Sequence, residues 1–417
     1  MKTTYYAALV ALDWGGEEHA YALSVGEDIE TGHVVDSAAA LHDWLRQLGE
    51  RFAAQPIALA IEAGRNAVMH ALVDYPWLTI YPVHPATSER FRKAFVASGA
   101  KDDLPDAVVL IRILAQNREQ LRALRLDTAA TRELAALNEV RCGAFDRRTQ
   151  LSRELRSARK TMFPQALEPC EDDLLTPLAL DFLGRWPELA VLQRAKPAGL
   201  RAFYTEHNSR RPAVIAQRLE RIAAARALTT DRAVLDPAVL QIRLLVAVLR
   251  PLQSRVEQVE QRITECFAAH PEAELFVRLP GAGPVLAPRL LVAFGTDRAR
   301  FPSAASLRKY GGVAPVREKS GRQIWAHWRW NAPKFLRQTF FEWAGQTIPE
   351  CAWAKAYYCQ QKRAGKRHKA ILRGLAFKWI RGPWRCWHDR APYDEARYVA
   401  APTQRNSPLA THLRSAA

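Results

Sequence analysis

No two of the six cysteines stand in a CxxC pair, so neither a zinc ribbon nor a disulfide framework is indicated, and the thiols are read as reduced. Long apolar runs are also missing. Leu244 to Leu249, one of the longest strictly apolar stretches, falls far short of the roughly 20 residues that a membrane helix needs. The opening run MKTTYYAALVALDWGG carries Asp13 where a signal peptide would place small cleavage-site residues, so a cytoplasmic protein without a membrane partner is expected. Acidic residues are scarce in one region. Residues 301 to 390 hold nineteen Lys and Arg against Glu318, Glu342, Glu350 and Asp389, which places +15 of the chain's net +17 there.

What is present is the composition of a folded protein, 48% hydrophobic and 25% charged over 417 residues, long enough for two or three domains. The basic region also holds eight of the twelve tryptophans (Trp325, Trp328, Trp330, Trp343, Trp353, Trp379, Trp384 and Trp387). Cations interleaved with flat aromatics suit phosphate neutralisation combined with base stacking, and therefore a nucleic-acid partner. Within this stretch Arg308, Lys309, Arg317, Lys319, Arg322, Lys366, Arg367 and Lys369 are the expected contacts. Tryptophans as core with cations as their solvated rim is the competing reading, although it leaves the excess of cations unexplained.

The chain opens with β-prone runs at 5–13 and 19–25, then a polar stretch to Asp36, a helical pattern from Ala38 to Phe52 with Leu41, Trp44, Leu45 and Leu48 on one face, and a strand-like PIALAIEAG from Pro56 to Gly64. A helix near Asn66 to Asp74 and a strand from Trp77 to Val83 complete a β-rich, then β-α, order that suggests a ribonuclease-H-like sheet. Residues 107–163 and 238–267 read as long helices able to pair as an antiparallel coiled coil. The proline-dotted stretch between them reads as a helical insertion. FVRLPGAGPVLAPRLLVAFG, Phe276 to Gly295, resembles a helix-hairpin-helix, with Gly281 and Gly283 in a turn whose amides can approach a phosphate closely. The tail after 390 is Pro-, Ala- and Ser-rich and expected to be flexible.

Four carboxylates stand out by position. Asp13 ends the first strand, Glu62 ends PIALAIEAG, and KDDLPDA places Asp103 and Asp106 three apart at a helix start. Acids at a helix start also suit the macrodipole, with Pro105 tolerated in the first turn. Together, hard oxygen ligands from strand, strand and helix are what divalent cations need in phosphodiester chemistry.

ALDWG, AIEAG and KDDLPDA, followed by LPGAGPVLA, FPSAASLRKYGGVAP and KSG, resemble the DEDD transposases of bacterial insertion sequences, which are related to Piv-type invertases. The resemblance covers roughly residues 5 to 165 and 236 to 350. It implies a RuvC-like domain over 1–110, a coiled coil over 111–165 and 236–270, and a mainly helical C-terminal transposase domain over 271–390, while composition alone marks 166–235 as a helical insertion and 391–417 as a flexible tail. It also implies a tetrad of Asp13, Glu62, Asp103 and Asp106 holding Mg²⁺, two ions per site, and a nucleophilic serine at Ser320, five residues after Pro315 and just before Gly321. The partners implied are DNA, a structured noncoding bridge RNA and further copies of the chain as a dimer or tetramer, in the nucleoid of a bacterial cytoplasm.

Three positions depart from the pattern. Asp102 replaces the Thr of KTDxxDA, which makes Asp102 and Asp106 a competing i, i+4 pair. Lys319 replaces the first of a doubled serine, and the insertion is longer than expected. His327, in WAHWRW, is a possible base for Ser320, whose developing charge Arg317, Lys319 and Arg322 could stabilise. The readings are a transposase that forms a covalent phosphoserine, a metal-dependent nuclease or junction resolvase that uses water, or a non-catalytic nucleic-acid-binding protein.

Overall fold

The computed structural model describes residues 5–63, 67–95, 103–162 and 173–396, and the chain divides into two compact units, 1–126 and 127–417.

In the first unit the order is β1 (Ala8–Asp13), β2 (Glu18–Val25), β3 (Asp28–Val35), α1 (Ala38–Arg51), β4 (Ile57–Glu62), α2 (Ala67–Val73), β5 (Leu78–Val83), α3 (Pro85–Phe95) and α4 (Asp103–Asn117). The described strands form one sheet in the order β3-β2-β1-β4-β5, antiparallel from β3 to β1 and parallel from β1 to β5. β1 and β4 are almost continuously apolar because both of their faces are covered. Val10, Leu12, Leu59 and Ile61 face α1 and α2. Ala11, Ala58 and Ala60 face α4, where small side chains admit Ala107, Leu110, Ile111 and Leu114. Ser37 starts α1 by accepting a hydrogen bond from the amide of Ala40 at 3.1 Å. β3, expected as part of a polar stretch, is a strand: it lies at the sheet edge, paired only with β2, and of its residues only Val34 is buried.

The second unit contains α5 (Ala129–Met162), α6 (Pro177–Arg185), α7 (Leu189–Gln193), α8 (Pro197–Glu206), α9 (Pro212–Ala224), α10 (Arg232–Ala268), α11 (Ala273–Val277), α12 (Gly283–Phe294), α13 (Ala304–Tyr310), β6 (Val316–Ser320), β7 (Gln323–His327), α14 (Lys334–Glu350), α15 (Ala352–Arg363), α16 (His368–Trp379) and α17 (Arg381–Asp389). The helix expected over 107–163 is two helices, since α4 stops at Asn117 and belongs to the sheet, and the chain then runs without helix from 122 to 128. Accordingly the first unit extends to Leu126, beyond the expected boundary at 110. α5 and α10 lie antiparallel, as the order of their cross-links shows: Arg262 to Glu133 (2.7 Å), Arg141 to Glu260 (2.7 Å) and Arg148 to Gln253 (2.6 Å). Residues 173–249 share a separate apolar core with one end of this pair, built on Phe182, Trp186, Phe203 and Tyr204. No helix among the described residues is long and apolar enough to cross a membrane.

The tryptophans of the basic segment divide. Trp343, Trp353, Trp379 and Trp387 are fully buried core residues, Trp379 packing on Trp343 and Trp353, and Trp387 on Phe294 of α12, so they are not stacking platforms. Their indole N–H groups donate internally: Trp343 to the Pro280 carbonyl (2.9 Å), Trp353 to the Tyr393 hydroxyl (3.3 Å), Trp379 to Thr347 Oγ1 (2.8 Å) and Trp387 to the Gly295 carbonyl (2.6 Å). Only Trp325 and Trp330 of the eight are strongly exposed.

The glycines of the 279–284 turn also divide. Gly281 has φ +67°, and a Cβ there would stand 2.6 Å from the backbone of Gln346 in α14, whereas Gly283, with φ +53°, faces open space. Gly281 is therefore explained by helix packing rather than by approach to a phosphate. Gly281→Ala should cost at least about 2 kcal/mol, from the clash as well as the backbone strain, and Gly283→Ala only about 1 kcal/mol. Chemical denaturation of both variants checks this, and equal losses would remove the α14 contact as the reason for glycine.

Candidate active site

Asp13 and Glu62 are the last residues of adjacent parallel strands, immediately after the paired Leu12 and Ile61. Side chains alternate between faces along a strand. Because Leu12 and Ile61 face α1 and α2, the pleat sends Asp13 and Glu62 to the opposite face, which is the one covered by α4. Both are half-buried. α4 begins at Asp103, and its half-buried Asp106 precedes Ala107, which is fully buried against that same face. The side chain of Asp103 and the whole of Asp102 lie outside the described residues.

Glu62 and Asp106 are held by α3. Ser88 Oγ donates to Glu62 Oε1 at 2.7 Å, and Arg92 Nη1 donates to Asp106, 2.9 Å from Oδ2 and 3.3 Å from Oδ1. The sequence pattern singled out neither residue, because a serine and an arginine on a short polar helix carry no periodic or motif signal. The donor set suits a hard divalent cation in kind, being carboxylate oxygens at one end and on one face of the sheet. Among the described residues, however, no three His, Cys, Asp or Glu side chains converge closely enough to hold an ion.

Ser320 ends β6 and is exposed, and Gly321, φ +57°, makes the two-residue turn into β7. Residues opposite one another share a face, so the register puts Ser320 with Gln323, Glu318, Trp325 and His327, and puts Arg317 and Lys319 on the other face with Ile324. Arg317 and Lys319 are thus turned away from the serine that they were expected to assist. His327 is committed as well: one ring nitrogen lies 2.7 Å from Glu318 Oε1 and the other 2.8 Å from the Trp328 carbonyl. Both partners are acceptors, so the two contacts are made together only by the protonated ring, which in that state has no lone pair for a base.

Of the other expected nucleic-acid contacts, Lys309, Arg322, Lys366, Arg367 and Lys369 are exposed. Lys366 and Arg367 sit on the turn between α15 and α16, and Lys369 lies in the first turn of α16. Arg308 differs, being half-buried with its guanidinium 4.2 Å from the centre of the Phe377 ring.

Two family models match the chain, one for DEDD transposases of the IS110 type over residues 10–164 and one for transposases of the IS116/IS110/IS902 family over 273–359. The chain belongs to this family of transposases. The transposase is 27% identical over 401 residues to a protein of Streptomyces coelicolor named as the mini-circle transposase for IS117, covering 93% of this chain and 96% of that one. It is 28% identical to a 42 kDa protein of the insertion element IS900 of Mycobacterium paratuberculosis, over 86% of each chain. A 44.8 kDa protein of IS116 from Streptomyces clavuligerus is 25% identical over 95% of this chain and 98% of its own.

The Trp328 carbonyl and then the Glu318 carboxylate raise the His327 pKa above its usual value. A raised folded-state pKa means that the pair stabilises the hairpin fully below the unfolded value of about 6.5, and that this contribution fades as pH rises through the higher folded midpoint. An NMR titration of the His327 ring should show a midpoint above about 6.5 that falls in Glu318→Gln, and a midpoint unmoved by that substitution would contradict the pairing.

Proposed function

We propose that this transposase cuts and rejoins DNA through a serine nucleophile and a divalent-cation site, the first unit being RuvC-like, a variant of the ribonuclease-H-like fold. The observation that carries the reading is that Asp13 and Glu62 leave adjacent strand ends on the face where α4 begins with Asp103 and Asp106. That arrangement would be self-repelling without counter-charge. Asp13, Glu62, Asp103 and Asp106 would hold Mg²⁺, which when bound supplies positive charge to the phosphodiester oxygens.

Ser320 is suited to attack because it sits exposed beside the turn of a hairpin whose residues are almost all exposed. In the step proposed, its Oγ forms a bond to the DNA phosphorus, the bond to the leaving deoxyribose oxygen breaks, the hydroxyl proton passes to water and the departing oxygen is protonated. The phosphoserine conserves the energy of the phosphodiester, so a second DNA hydroxyl can reverse the step on a new partner strand. Trp325, on the Ser320 face and 42% exposed, offers a stacking surface beside the reacting hydroxyl.

The remaining parts of the reading follow the basic surface and the long helices. The exposed turn at Lys366, Arg367 and Lys369 would contact phosphates of DNA or of a structured RNA, and the α11–α12 turn would act as a helix-hairpin-helix through the open Gly283. The α5–α10 pair would serve as a coiled coil in a homo-oligomer.

The test is a denaturing gel of labelled DNA incubated with Mg²⁺, with and without protease. Wild type should give a protease-sensitive, protein-linked band. Ser320→Ala should lose that band and all recombination while keeping DNA affinity within about twofold, since phosphate charge dominates binding. Glu62→Ala and Asp106→Ala should abolish product as well. Free cleaved ends from both wild type and Ser320→Ala would instead establish a nuclease that uses water. In a separate assay, neutralising Lys366, Arg367 and Lys369 together should reduce the salt slope of duplex binding by roughly 0.9 per lost contact, and an unchanged slope would place that turn off the DNA.

A further inference from the structure

The hydrogen bonds of α3 occupy the carboxylates that a cation would need. Ser88 and Arg92 are four residues apart and so share one helical face, and that face reaches both Glu62 on β4 and Asp106 on α4. Arg92 is 27% exposed and Asp106 18%, so water and salt screen their attraction less than they would a surface pair. The single Ser88 hydroxyl proton is shared between Glu62 and the Pro85 carbonyl, 2.9 Å from Oγ. One of the expected ligands, Asp106, is turned toward a guanidinium.

We infer that α3 is a counter-ion arm of the carboxylate site: Ser88 and Arg92 hold Glu62 and Asp106 while no metal is bound, and cation loading requires Arg92 to leave Asp106. The inference rests on the reading that these carboxylates bind a divalent ion. Its physical basis is competition. One guanidinium nitrogen lies against both oxygens of Asp106 and competes for lone pairs that a metal would use, and its charge repels the incoming ion. Arg92 is thus a positioning residue that sets the cation concentration at which the site assembles. The ordering of the apo site and the affinity for metal are opposed through this one side chain.

The test uses the full chain without DNA, titrated calorimetrically with Mn²⁺, and its thermal unfolding in EDTA. Arg92→Gln should bind Mn²⁺ roughly five- to tenfold more tightly than wild type, the loss of a partly buried competing charge, and should melt at a lower temperature in EDTA. Arg92→Lys, which restores the charge, should stay near the wild-type affinity. An Arg92→Gln affinity equal to or weaker than wild type, with binding still abolished by Glu62→Ala, overturns the counter-ion arm alone. If wild type shows no binding that depends on Glu62, the metal reading fails and the inference fails with it. Should Arg92→Gln not fold, Ser88→Ala, which removes only a hydroxyl from Glu62, is expected to bind Mn²⁺ more tightly than wild type, and unchanged affinity in it counts against the arm.

Discussion

Like charge gathered at one end of a sheet is the constraint on which the rest of the first unit depends. Two parallel strands, buried on both faces and nearly devoid of polar residues, terminate in Asp13 and Glu62, and the pleat turns both toward the helix that begins with Asp103. A carboxylate half out of water is costly unless it is hydrogen-bonded or faces a cation. Here α3 supplies part of that compensation through a hydroxyl and a guanidinium. The small residues Ala11, Ala58 and Ala60 belong to the same account, because they let α4 sit close enough to the sheet for its first turn to approach the strand ends.

The second unit separates two tasks that the composition had merged. Four of its tryptophans lie in the core, three of them in contact through Trp379 and the fourth, Trp387, on Phe294, with their N–H groups spent on internal acceptors. Its cations are left to the surface, and the exposed Lys366, Arg367 and Lys369 at the start of α16 are the clearest example. Some cations are also structural: Arg308 lies over Phe377, and Arg337 and Arg373 both lie over Trp328. The β6–β7 hairpin stands apart, exposed on nearly every residue, with one face bearing Ser320 and the other bearing Arg317 and Lys319.

The elements that could be read from sequence are those whose burial is uniform. β1 and β4 show as unbroken apolar runs, and α1 shows as the spaced Leu41, Leu45 and Leu48. Asp13 and Glu62 were legible because a charge that ends such a run is conspicuous. β3 was not legible, since an edge strand with one buried side chain has no alternation to detect. The break between α4 and α5 was hidden because residues 118–128 hold ordinary helix formers and the interruption comes from tertiary packing, with the Leu124 amide bonded to the Ile80 carbonyl of β5. The partners of the carboxylates were missed for a different reason: Ser88 and Arg92 matter through contacts 26 and 14 residues away in sequence, and local pattern carries no trace of them. The same applies to the tryptophans, because an indole in a core and an indole on a nucleic-acid surface are the same letter.

The central claim is that the carboxylates at this sheet end form a divalent-cation site. Anomalous diffraction from crystals soaked in Mn²⁺ tests it directly. The account predicts a peak about 2.0–2.5 Å from carboxylate oxygens of Asp13 and Glu62, with Arg92 swung off Asp106. A map with no peak there at saturating Mn²⁺, or with the ion held elsewhere while Arg92 remains on Asp106, would contradict it.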